Sequence, residues 1–189
     1  MKKVEDKPIP LISKKHLYHH KVELRLGNWK NNFDISYVNT TIAIALNHCC
    51  KYNDLIINGY LITTKNLYLI AKTNEKTIDV ILNKIERHIH FLLKADNRII
   101  KKNIFNIDFI VDDEDVFYEI HEPLFKVYPF KNDHLIQLIT GKKVKLPYFD
   151  RKLEDLKLMI LHHRFCSAID YSGAIGPVDV TLLNNFKEN

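Results

Sequence analysis

The order and patterning of the chain predict an α+β sandwich, a mainly antiparallel sheet with two main helices packed on it. Three observations carry this. "KVELRLG" (Lys21 to Gly27) alternates Val22, Leu24 and Leu26 against Lys21, Glu23 and Arg25, the period of a half-buried strand. "LIINGYLIT" and "NLYLIAK" are two β-rich runs meeting at Thr63–Lys65, a hairpin rather than a crossover, so at least part of the sheet is antiparallel. Thr77 to Ala95 sets Ile78, Ile81, Leu82, Ile85, Ile89, Leu92 and Leu93 on one helical stripe, with Asp79, Asn83, Glu86, Arg87 and Lys94 off it.

The remaining elements follow in order. Residues 1–20 are polar, basic and interrupted by Pro8 and Pro10, and read as a flexible N-terminal arm, leaving 21–189 as one α+β domain. "NWKNNFD" is a polar loop carrying the only tryptophan. From Tyr37 to Tyr52, Val38, Ile42, Ala45, Leu46 and Cys49 recur at helical spacing, with Ser36 as the expected N-cap. Ile104–Val111 alternates as a strand ending in the acidic turn "DDED", and is expected to join Val22–Leu26, Leu55–Ile62 and Leu67–Ala71 in one sheet. "VFYEIHEPLFKVYPF" reads as an extended segment, Asp150 to about His163 as a last short helix, and the tail after it as irregular. Strand, helix, hairpin, helix, strand is the order of a ferredoxin-like sandwich.

Composition bounds the chemistry. The 189 residues suffice for one domain with a full core, and 46% apolar with 27% charged residues is globular. Glycine is scarce, at five, and no G-x-G-x-x-G or P-loop pattern occurs. No apolar run approaches the roughly 18 residues of a membrane span, and the N-terminus lacks a signal-peptide core, so a cytoplasmic protein without membrane contact is expected. Cys49, Cys50 and Cys166 lack disulfide or zinc spacing and read as reduced, buried thiols. The net charge of +5 permits a polyanionic partner without requiring one.

No motif marks a metal or a nucleophile. His88-Ile89-His90 lies in the strongest predicted helix, where positions two apart diverge by about 200° around the axis. Asp112 to Asp115 lacks the spaced oxygen ligands and the glycine of a calcium loop, and four acids in a row read as a solvated turn. Basic residues cluster at Arg98, Lys101 and Lys102, and again at Lys142, Lys143 and Lys145, with Phe105, Tyr128, Phe130, Tyr148 and Phe149 near in sequence. Phosphates need such charges and unpaired bases need aromatic platforms.

"INGYLITTKNLYLIAK" resembles the stretch around His-hydrophobic-His in single-tyrosine HUH transposases, the insertion-sequence family that includes the REP-associated tyrosine transposases. The tail "FCSAIDYSGAIGPVDVTLL" resembles that family's ending, and the likeness runs from about Lys21 to Leu183. It implies a ferredoxin-like fold, often dimeric. It also implies binding of single-stranded or hairpin DNA, and cleavage by a tyrosine with magnesium or manganese polarising the phosphate. Carried over by position, the two metal-binding histidines fall on Asn66 and Tyr68, a degenerate pair. The nucleophile's helical pattern has no match here, and Tyr148 is its nearest counterpart. The expectation is a transposase-like DNA-binding protein without cleavage activity and without a cofactor. Two alternatives stay open: an active diverged transposase drawing metal from "DDED" or nearby histidines, and a structural or protein-interaction domain that has lost DNA.

Overall fold

A computed structural model describes residues 16–95, 110–112, 115–117 and 123–183. The first strand, β1 (Tyr18–Leu26), is followed by a 3-10 turn at Asn28–Asn32 and by α1 (Ile35–Tyr52). β2 (Ile56–Ile62) and β3 (Asn66–Thr73) form the hairpin, and α2 (Asp79–Ala95) follows it. Beyond lie β4 (Ile110–Asp112), β5 (Asp115–Phe117) and β6 (Phe125–Pro129), then α3 (Asp133–Ile139), α4 (Arg151–Leu161) and α5 (Ala168–Tyr171).

The main sheet has the order β2-β3-β1-β6, every neighbour antiparallel. β1 and β2 run parallel with β3 between them and α1 linking them, the split β-α-β of a ferredoxin-like sandwich. The identity of the fourth strand corrects the sequence reading. Of the predicted strand Ile104–Val111, the described part pairs only with β5, in a two-stranded sheet of its own. The vacant place beside β1 is filled by β6, out of the segment read as merely extended. Of the acidic run, Asp112 and Asp115 stand opposite each other at the end of that small pair of strands.

One face of the sheet carries the two main helices, α1 and α2. Val22, Leu24 and Leu26 of β1, with Leu67, Leu69 and Ala71 of β3, meet Ile42 and Leu46 of α1 and Ile81, Ile85 and Ile89 of α2 in one core cluster. Burying such aliphatic side chains contributes about 1.5–3 kcal/mol each. Trp29 joins them at 2% exposure, and its indole N–H donates to the Leu124 carbonyl at 3.0 Å. The polar loop therefore anchors the approach to β6. Helix α1 begins two residues earlier than predicted because Asp34, not Ser36, is its cap: the Asp34 carboxylate accepts from the N–H groups of Ser36 and Tyr37.

Among the described residues, the opposite face is covered over its β2–β3 half only. Leu61 and Ile70 pack there against Leu135 and Ile139 of α3, Ile160 of α4, Phe130 and Cys166. Three further differences from expectation follow. β1 starts at Tyr18, so Tyr18, His19 and His20 pair with β3 instead of belonging to the arm. α3 lies in a stretch assigned no element, capped by Asn132, whose side chain accepts from the Leu135 N–H. The irregular tail contains the single turn α5.

Across α1 and α2, His48 and His88 stack with ring centroids 3.8 Å apart and planes 12° from parallel. Burial holds the His88 imidazole below its ordinary value, and the charge of His48 lowers it further. The folded state therefore binds this proton less readily than the unfolded chain. Stability from this site is complete above the ordinary imidazole value and is lost as pH falls below it. Melting is expected to drop between about pH 7.5 and about pH 5, and His88→Gln is expected to lessen that drop. Calorimetry of both proteins across the window checks this; an unchanged pH dependence in the variant would contradict it.

Candidate functional site

The uncovered half of the outer sheet face is built by strand alternation. Lys21, Glu23 and Arg25 are the polar positions of β1, and they point away from the helices that receive Val22, Leu24 and Leu26. Register sets their neighbours. Arg25 stands between Asn66 of β3 and Lys126 of β6, while Glu23 stands between Tyr68 and Tyr128. Lys21, Arg25, Lys65, Lys126 and Tyr128 are exposed, the tyrosine at 45%. Glu23, Arg25, Lys65, Asn66 and Tyr128 line a depression of about 360 Å³.

Asn66 and Tyr68 do share a strand face, as their spacing predicts, and they are tied together locally. The Asn66 amide donates to the Glu23 carboxylate at 3.0 Å and to the Tyr68 hydroxyl at 3.0 Å. The Glu23 carboxylate can only accept, so it requires the NH₂ end of the amide and thereby fixes its orientation. The Tyr68 ring packs on Phe130, centroids 5.1 Å apart. Burial pushes the Tyr68 phenol above its ordinary value; the Asn66 amide lowers it and the neighbouring Glu23, which shares a hydrogen bond with it, raises it. The residues do not fit a divalent cation. The amide turns hydrogens toward the carboxylate, the phenol is neutral, and Glu23 is the one anionic oxygen donor of the three. Among the described residues no group of three or more His, Cys, Asp or Glu side chains could hold a metal.

The other predicted residues separate. Lys142, Lys143 and Lys145 are exposed and line a second cleft of about 440 Å³ with Lys157, Ile160 and Tyr171. Lys157 is engaged there by Glu154 at 2.8 Å. Arg98, Lys101 and Lys102 lie outside the described residues. Tyr148 is 65% exposed just before Asp150, the α4 cap, and lines neither cleft. His88 and His90 sit on helix α2 as read. The thiols are raised by burial, Cys49 and Cys166 to about 11 and Cys50 to about 12, so none is poised as a nucleophile.

The tail that carries the resemblance is a clamp on the β2 edge. Ser167 Oγ accepts from the Tyr60 N–H at 2.9 Å and donates to the Ile139 carbonyl at 2.5 Å. Tyr171 donates its hydroxyl to the Asn58 carbonyl and accepts from the Leu183 N–H, at 2.8 and 3.1 Å. Asp170 accepts from the Gly176 N–H at 2.9 Å. These bonds satisfy an edge that is otherwise open to other chains.

Sequence reasoning missed Glu23, Arg25, Lys65 and Lys126. The signal was present as the polar half of an alternation whose apolar half alone was used. "FKVYP" carries the same pattern, with Lys126 and Tyr128 two apart. What fold and site define together is a ferredoxin-like α+β domain with a basic and aromatic sheet face left half-open by the described residues. No family model matches the chain, and no curated protein or solved structure is significantly similar to it. No helix among the described residues is long and apolar enough to cross a membrane.

Proposed function

We propose that this protein binds single-stranded or hairpin DNA across the uncovered half of its sheet and does not cleave it. One observation carries the reading: Arg25 and Lys65 line one depression with the exposed Tyr128, and the exposed Lys21 and Lys126 stand on the same sheet face, which no described element covers. Cations track a phosphate backbone, and an aromatic ring offers a base a stacking surface worth about 1–3 kcal/mol. Duplex bases are already stacked and would gain nothing from Tyr128, which favours an unpaired strand. The likeness of the β2–β3 hairpin and the tail to HUH transposases supports DNA as the polymer. The absence of cleavage rests on the Asn66–Glu23–Tyr68 arrangement, which holds hydrogens where a cation would sit. Lys142, Lys143 and Lys145 supply a second basic patch for a longer strand.

Fluorescence anisotropy with a labelled hairpin and a labelled single strand at several salt concentrations tests this. If the four cations of the sheet face each neutralise a phosphate, the log–log salt slope for the single strand is expected to be about −3. The double variant Arg25→Glu, Lys126→Glu is expected to weaken binding by at least about 10-fold at low salt. A flat salt dependence, or full binding by that variant, would overturn the proposal.

A further inference from the structure

We propose that the depression beside Asn66 is a base pocket that selects guanine in the bound strand, an assignment that rests on the DNA-binding reading above. Its polar floor is already committed. The two N–H groups of Asn66 are spent on Glu23 and Tyr68. What remains for a ligand is the Asn66 carbonyl oxygen and the free lone pairs of Glu23, all acceptors. A carboxylate in that position repels a phosphate, so the cations beside it hold the backbone while the floor meets a base edge. Tyr128 stands next to Glu23 across the β1–β6 pair, placed to stack on that base.

An acceptor floor discriminates among bases. Guanine presents two parallel donors, N1–H and the N2 amino group, which match the two oxygens of a carboxylate. Its O6 acceptor then faces Arg25 or Lys65 at the rim. Adenine and cytosine each offer one amino group beside a bare ring nitrogen, which would oppose the carboxylate. Thymine offers a single N–H between two carbonyls. Loss of the paired donors leaves Glu23 partly unsatisfied, and that is where selectivity arises.

The test is anisotropy with short thymidine oligonucleotides carrying one central dG, deoxyinosine, dA, dC or dT. The dG strand is expected to bind about 10-fold more tightly than the dA, dC and dT strands, as a bidentate base contact allows. Deoxyinosine, which keeps N1–H and lacks the N2 amino group, is expected to fall between. Glu23→Gln replaces one acceptor by a donor and is expected to bring all five strands within about two-fold of one another. Saturable binding with no preference for dG in the unaltered protein overturns the pocket and leaves DNA binding standing. A preference that survives Glu23→Gln also overturns it. Failure of every strand to bind overturns the pocket and the DNA-binding reading together.

Discussion

Gly141→Ala is expected to destabilise the fold by about 3–5 kcal/mol, roughly 10–15 °C in Tm. Gly141 ends the connection out of α3 with φ +74°, in the left-handed region where a Cβ costs about 1–2 kcal/mol. A Cβ there would also lie 2.5 Å from Tyr171 Cγ and 2.7 Å from Tyr171 Cβ, contacts that real structures do not sustain. Tyr171 must move, and its hydroxyl would leave the Asn58 carbonyl and the Leu183 N–H. Each lost bond costs about 1 kcal/mol. Gly173→Ala is the control. Gly173 has φ +92° with nothing within 4 Å of the added atom, so only the conformational cost of about 1–2 kcal/mol applies. Chemical denaturation of both variants measures the difference. Equal losses would show that Tyr171 yields freely and that the tail is a loose covering rather than a clamp.

With magnesium or manganese present, single-stranded and hairpin DNA are expected to remain uncut and free of a phosphotyrosine adduct. Cleavage by a tyrosine needs an aligned hydroxyl, a stabiliser for charge developing on the phosphate, and a bound strand. Losing one such stabiliser lowers a rate by about 10²–10³. Here both positions that the HUH resemblance assigns to metal hold a neutral amide and a neutral phenol, locked to Glu23. The candidate nucleophile Tyr148 lines neither cleft. Denaturing gels with a labelled strand read the outcome directly. A metal-dependent adduct that disappears in Tyr148→Phe would overturn the non-cleaving reading and establish an active enzyme. The double variant Asn66→His, Tyr68→His is expected to gain manganese affinity, since two imidazoles then flank Glu23. Cleavage is expected to stay absent in it, because the nucleophile is still displaced.

Local pattern reached far into this fold. The stripe of α2, with Ile81, Ile85 and Ile89 fully buried, is legible because a helix repeats its buried face every three to four residues. The β2–β3 hairpin is legible for a similar reason: Thr63 Oγ1 accepts from the N–H groups of Lys65 and Asn66, a turn closed within four residues. The shared face of Asn66 and Tyr68 followed from strand geometry alone.

Tertiary structure alone decided the fourth strand and the site. Ile104–Val111 and Phe125–Pro129 both compete for the edge of β1, and nothing local ranks them. The choice depends on partners about a hundred residues away in sequence, such as Trp29 bonding to Leu124. The site is non-local in the same way. Glu23, Asn66 and Tyr128 come from three separate strands, and only the register of β1 with β3 and β6 sets them side by side. Sequence by itself determined which residues turn toward the core and which turn away, because that is a property of each element's period. Which outward residues meet is a property of how the elements pair, and a one-residue slip in register would have produced a different face.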